Sequence, residues 1–329
     1  MKKFFLVIFV LLAQTFYLPA QVEFEKMKGV SLESPPFELT AKDFERINSS
    51  NANWVAVIPY GFSPSNHPQV SFNSERQWWG ERVDGAAQMV KLAQEKGYKL
   101  MLKPQVWIFR GWVGDYGFDT EKEWEVWEKS YENFIITFAR LADSLEVKLF
   151  CLGTEYKRAT TERPQYWSSL IDSIRQIYDG EITYAANWDE YEQIPFWDKL
   201  DFIGVDAYFP LSQEETPEMS ELLLNWLPVK TRMKLLSDSL NKPVLLTEFG
   251  YRSVDKAAGN QWNLKSSPVN MEAQRRAYLA IFESLWVETW VSGGFVWKWQ
   301  FRSGAGGLND GSYTPQGKPA LEILKSVYR

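Results

Sequence analysis

Two glutamates stand where two short apolar runs end: Glu155 after the run from Lys148 to Thr154, and Glu248 after the run from Pro243 to Thr247. A carboxyl group at the end of a buried strand costs desolvation energy unless it is paired or has chemistry to perform. Each is preceded by a threonine, and together they form a candidate carboxylate pair. Other catalytic sets have little to draw on. The chain has one histidine, His67, in the loop-like stretch Ser63-Pro64-Ser65-Asn66-His67-Pro68, and one cysteine, Cys151, inside an apolar run. That inventory argues against a zinc enzyme, a Ser-His-Asp hydrolase or a disulfide framework.

A carboxylate pair suits glycosidic bond cleavage. One group protonates the leaving oxygen while the other meets the positive charge that develops at the anomeric carbon. When the second attacks directly, the two groups lie about 5–5.5 Å apart and configuration is retained.

The elements that must position the pair are legible as an alternation. Short β-rich runs cover Met27 to Leu32, Trp54 to Tyr60, Lys99 to Pro104, Lys148 to Thr154, Ile182 to Asn187, Phe202 to Ala207, Val244 to Glu248 and Gly294 to Trp299. Helical patterns cover Glu81 to Lys96, Glu121 to Leu145, Pro164 to Tyr178, Pro217 to Leu240, Met271 to Glu288 and Lys318 to Tyr328. Eight strands alternating with helices predict a parallel sheet covered on its outside, and at this length a closed (β/α)8 TIM barrel. No Gly-x-Gly-x-x-Gly turn follows the first strand, which argues against a dinucleotide fold.

Barrel active sites lie at the C-terminal ends of the strands. Those ends present Tyr60, Lys103, Gln105, Trp107, Glu155, Asn187, Trp188, Asp206, Tyr208, Glu248, Trp297 and Trp299. Glutamates on the fourth and seventh strands would face each other across the mouth.

The segments Gly153-Thr154-Glu155, Asp206-Ala207-Tyr208, Thr247-Glu248-Phe249-Gly250-Tyr251 and Gly294-Phe295-Val296-Trp297 resemble the retaining barrel glycosidases of clan A. With Lys103-Pro104-Gln105-Val106-Trp107 and the compact chain, the sequence is most similar to glycoside hydrolase family 113, whose characterised members are β-1,4-mannanases. The resemblance spans essentially the whole mature chain. It implies Glu155 as general acid/base, Glu248 as nucleophile, Tyr208 as the hydroxyl that hydrogen-bonds the nucleophile, and Trp297 as the floor under the sugar at the point of cleavage. Two positions depart from the common pattern. Thr154 stands where an asparagine usually binds the sugar 2-hydroxyl, with Asn187 as a candidate replacement, and Gln105 stands where a histidine is frequent.

Simpler readings compete at several positions. Asp206 can orient Tyr208 or pair with Lys103 or Arg110 rather than touch substrate. Lys103 and Arg110 can bind sugar hydroxyls or pair with carboxylates. Asn187 can simply terminate its strand. Trp107, Trp188, Trp297 and Trp299 follow strand ends and are expected to line the cleft, whereas Trp54, Trp124, Trp127 and Trp286 fall within strand or helix patterns and are expected in packing. The pair Trp78-Trp79 fits an overhanging wall or a hydrophobic clasp equally well. With 16 Trp, 15 Tyr and 21 Phe, aromatics exceed the needs of an ordinary core. Flat rings with polar edges suit sugar faces.

Met1-Lys2-Lys3 followed by the apolar run from Phe4 to Ala13 reads as a signal peptide over residues 1–20, leaving residues 21–329 as one catalytic domain exported to the periplasm or beyond. The net charge of −6 becomes more negative on losing Lys2 and Lys3, which argues against nucleic acid as a partner. No later run is apolar enough for membrane insertion. The expected activity is retaining hydrolysis of β-1,4-mannosidic bonds, with no metal or organic cofactor and a β-linked oligo- or polysaccharide as partner. The alternatives are a β-glucanase, or other β-hexoside hydrolase, and a barrel that binds carbohydrate without turnover. Oligomeric state is not encoded legibly.

Overall fold

The computed structural model describes residues 25–64, 67–260 and 267–329. The expected signal peptide at 1–20 lies outside the described residues. Eight parallel strands close into a barrel: β1 (Met27–Leu32), β2 (Trp54–Val57), β3 (Lys99–Leu102), β4 (Leu149–Thr154), β5 (Glu181–Asn187), β6 (Ile203–Asp206), β7 (Val244–Phe249) and β8 (Val291–Trp299), with β8 paired to β1. The outer ring comprises α1 (Ala41–Glu45), α2 (Val83–Glu95), α3 (Glu121–Ser144), α4 (Lys157–Glu162), α5 (Pro164–Arg175), α6 (Met219–Leu240), α7 (Met271–Ile281) and α8 (Pro319–Val327).

The period-2 alternation of each strand divides the core in two. Met27, Trp54, Ala56, Met101, Leu149, Cys151, Leu245 and Phe295 fill the barrel lumen, while neighbours such as Val55, Val57, Leu152 and Leu246 face the helices. Helix α3 shows why the second layer is so aromatic. Thr120 caps it by accepting from the Glu123 N–H at 3.3 Å, and its buried face presents Trp124, Trp127, Tyr131, Phe134 and Phe138 at three- and four-residue spacing. Trp127 and Tyr131 stack with centroids 5.1 Å apart, and Tyr131 also packs against Tyr156 and Trp167. Much of the aromatic excess is therefore spent behind β4 and β5. Trp54, Trp124, Trp127 and Trp286 are buried, as their place in the pattern predicts.

Two gaps in the alternation carry no long helix, in keeping with the helical patterns read from the sequence. Between β1 and β2 the only α-helix has five residues, and between β5 and β6 only short 3-10 turns occur, at Tyr191–Gln193 and Trp197–Lys199. Rings take the place of the missing helix: Phe196 stacks on Trp167 at 5.8 Å, and the Trp197 indole donates to the Tyr191 carbonyl at 2.8 Å. The run from Trp54 to Tyr60 is not one strand. Pro59 and Pro104 end β2 and β3, since proline has no N–H for the ladder. The chain then resumes as a two-stranded parallel ribbon, Tyr60–Pro64 beside Gln105–Phe109. This ribbon stands above the barrel mouth, and its register places Tyr60 beside Gln105 and Phe62 beside Trp107.

Candidate active site

The two glutamates reach the mouth through irregularities in their strands. From Gly204 to Asp206 β6 advances two residues while β7 advances three, from Leu245 to Glu248. The extra residue is a bulge, and it inverts the in/out alternation. Leu245 faces the lumen and Leu246 the helices, but beyond the bulge Glu248 points inward and Phe249 outward. Gly250 then lets the chain turn beneath β8, because a Cβ there would lie 2.6 Å from the Trp297 carbonyl oxygen.

Strand β4 carries a similar insertion between Cys151 and Thr154, which places Thr154 beside the inward-facing Ala185. Strict alternation would send Glu155 outward. Instead its backbone is left-handed, with φ of 57°, a conformation costing a residue with a Cβ about 1–2 kcal/mol, and its carboxyl joins the cleft. Gly153 is wedged among Trp167, Tyr131 and Tyr184, each 3.0 Å from where its Cβ would be. The aromatic layer thus meets the strand directly beneath the acid.

Glu155 and Glu248 line one cleft of about 600 Å³ with Gln105, Trp107, Trp112, Thr154, Asn187, Trp188, Asp189, Tyr208, Trp297 and Tyr313. Glu248 is buried and held by three donors: the Lys103 ammonium and the Gln105 amide (2.8 Å) on Oε1, and the Tyr208 hydroxyl (2.7 Å) on Oε2. All three donate, so they orient an acceptor-only, ionised carboxylate. Behind it, Asp206 accepts from the Thr247 hydroxyl at 2.7 Å and faces Lys103 Nζ at 3.6 Å. Burial alone would push the Lys103 ammonium down, but Asp206 and Glu248 outweigh it and hold it above its ordinary value. One ammonium cannot neutralise two carboxylates. Asp206, completely buried beside the Glu248 charge, is accordingly pushed well above the carboxylate range.

Glu155 is half-buried, and its Oε2 accepts from the Trp112 indole at 2.9 Å. Burial first, and the negative charge of Glu248 second, raise it to about 7. The pair is therefore differentiated by environment, one carboxyl ionised among donors and the other protonated near neutrality, which is the division that acid and nucleophile require.

Most of the sequence-predicted residues meet here. Tyr208, Gln105, Trp107, Trp188, Asn187 and Trp297 all line the cleft. Three do not touch its contents. Lys103 and Asp206 have no exposed side-chain surface; Lys103 bonds Glu248 directly and Asp206 stands behind it beside Lys103, so their expected substrate contact is corrected to support of that carboxylate. Trp299 is 2% exposed and packs toward the helices. Between Val30 and Leu32 β1 advances two residues against three on β8, from Val296 to Trp299, and the bulge returns Trp299 to the outward side. Asn187 ends its strand, its side chain accepting from the Trp188 N–H and donating to Asp189 Oδ1, each at 3.0 Å, and it also lines the cleft. Trp112, Tyr313 and Asp189 were not foreseen, because all three sit on loops without a strand pattern to flag them.

A second lobe of about 520 Å³ adjoins the first across Trp107 and Trp297 and is lined by Glu33, Tyr60, Arg76, Gln77, Trp78 and Lys298. Of the tandem tryptophans, Trp78 is half exposed in this lobe, while Trp79 is held by Gln88 at 2.7 Å and lies under Arg82. Cys151 is buried in the lumen, and burial pushes its thiol up to about 12, so it is inert packing.

The sequence matches the model of glycoside hydrolase family 113 over residues 37–318. Among solved structures it is similar to the GH113 β-mannanase AaManA from Alicyclobacillus acidocaldarius in complex with ManMIm, at 25% identity and a TM-score of 0.82, covering 92% of this chain and 97% of that one. A GH113 β-1,4-mannanase complex aligns at 24% identity and a TM-score of 0.81, over 92% and 99% of the two chains. The β-glucuronidase of Faecalibacterium prausnitzii shares the fold at 15% identity and a TM-score of 0.60, over 92% of this chain and 48% of that one. A search of curated proteins finds no match.

Proposed function

The chain belongs to glycoside hydrolase family 113, and from that premise we propose that it cleaves β-1,4-mannosidic bonds of mannan-type glycans with retention of configuration. The observation that carries the mechanism is the unequal carboxyl pair in one cleft, with Glu248 fixed by three donors and Glu155 raised to about 7. Glu248 attacks the anomeric carbon as Glu155 gives its proton to the departing glycosidic oxygen, leaving a glycosyl ester on Glu248 and an ionised Glu155. Glu155 then takes a proton from water, which attacks the same carbon and frees Glu248. Mannan as substrate is supported by the β-mannanase neighbours.

Incubation with β-mannan, glucomannan, cellulose and xylan, with product analysis, tests the substrate. Mannan oligosaccharides are expected, whereas glucan products alone, or tight binding without products, would overturn the assignment. Proton NMR of the first-formed product is expected to show the β-anomer, and an initial α-anomer would reject the covalent mechanism.

Only protonated Glu155 delivers the leaving-group proton, so kcat/KM is expected to fall as pH rises through about 7. The Trp112 indole stabilises the ionised form and thereby opposes this rise. In Trp112→Phe that donor is lost, and the alkaline limb should move upward. A buried hydrogen bond to a charged group is worth about 1.5–3 kcal/mol, and the exposure of Trp112 reduces the expected shift to about half to one pH unit. A pH–rate profile that superimposes on that of the parent would show that the indole does not govern the titrating acid.

The exported address proposed for residues 1–20 is checked by sequencing the N-terminus of the mature protein.

A further inference from the structure

The left-handed backbone at Glu155 needs something to hold it. Its own N–H donates to the Ala185 carbonyl at 2.8 Å, and the next N–H, that of Tyr156, donates to the Tyr184 hydroxyl at 2.7 Å. The peptide that follows the acid/base therefore hangs on a phenol from β5. That phenol ring is completely buried and clamped edge-on by Trp167 and Phe196, both with centroids 5.6 Å away. Since the hydroxyl accepts from Tyr156, its proton is free to point elsewhere, and it faces Glu190 Oε1 at 3.4 Å. The same oxygen accepts the Asn187 N–H at 3.0 Å, closing the turn that ends β5. Glu190 is 2% exposed, and its second oxygen is buried without a hydrogen-bond partner. A buried carboxyl used this sparingly is costly as mere packing.

We propose that Glu190 is a positioning residue for the acid/base: through the Tyr184 hydroxyl it fixes the Glu155–Tyr156 turn. This rests on the assignment of Glu155 as acid/base. Burial chiefly raises Glu190 itself to about 7, with Asp189 and Asp206 raising it further and the Asn187 N–H and Lys157 lowering it. Its charge in turn raises Glu155.

The test compares kcat/KM on a mannan oligosaccharide with kcat/KM on 2,4-dinitrophenyl β-mannoside, whose leaving group departs without a proton. Tyr184→Phe removes only the hydroxyl, and Glu190→Ala removes the carboxyl. In each, the oligosaccharide value is expected to fall about tenfold or more, with the dinitrophenyl value within twofold of the parent. Glu190→Gln retains an acceptor for both partners and should restore the oligosaccharide value, while moving the alkaline limb downward because a charge that raises Glu155 is gone. Equal losses on both substrates would indicate a general structural role, and parent-like values in folded Tyr184→Phe would remove the link altogether; either overturns the proposal. Glu155→Gln serves as the reference. If it lacks the leaving-group dependence, the acid/base assignment fails; if it shows that dependence while Tyr184→Phe and Glu190→Ala do not, only the positioning role fails.

Discussion

Glu248→Ala is expected to lower turnover of a mannan oligosaccharide by about 10⁴-fold or more, the scale on which loss of a covalent nucleophile acts. The surrounding structure makes this a clean deletion. Lys103 and Tyr208 follow the ends of β3 and β6 and Gln105 opens the ribbon strand, and none of the three donates a backbone hydrogen bond to the Glu248 side chain. The vacated space lies beside the Lys103 ammonium, which loses its nearer carboxylate partner. A small anion such as azide can therefore occupy it. With an activated β-mannoside, azide should restore turnover by attacking from the side of the missing carboxylate, expelling the aryl alcohol and leaving an α-mannosyl azide. Isolation of the β-azide, or turnover close to that of the parent without azide, would remove Glu248 from the nucleophile's role.

The barrel and the order of its strands were readable because each buried strand is a short apolar run and each long helix carries its own period. The identity of the pair was readable because a carboxylate after such a run is conspicuous. What the pattern does not carry is the bulges. A strand buried on both faces is apolar throughout, so one extra residue in β4, β7 or β8 leaves no mark on hydrophobicity, yet it decides that Glu248 faces in and Trp299 faces out. Lys103 illustrates the same limit. A lysine at a strand end is expected to reach for solvent or sugar, and only the joint presence of Asp206 and Glu248 explains why it is completely buried. Loop residues are harder still: the Trp112 indole reaches Glu155 across 43 positions of sequence with no periodic signal between them.

Glu155→Ala should show a different signature from Glu248→Ala, and the difference separates the two roles. With a glycan leaving group, the loss of proton delivery is expected to lower kcat/KM by about 10²–10⁴-fold, the range that general acid catalysis supplies. With 2,4-dinitrophenyl β-mannoside the first step needs no acid, so kcat/KM should stay near that of the parent. The second step still lacks its base, and the glycosyl ester on Glu248 accumulates, giving a burst of dinitrophenolate followed by slow turnover. Azide needs no deprotonation, so it should accelerate the slow phase and yield the β-mannosyl azide, opposite in configuration to the product from Glu248→Ala. The alkaline limb near pH 7 should also disappear from kcat/KM, because the group that titrates there is gone. Persistence of that limb in Glu155→Ala would assign it to another buried carboxyl, and Glu190, also raised to about 7, is the group that Glu190→Gln would then test.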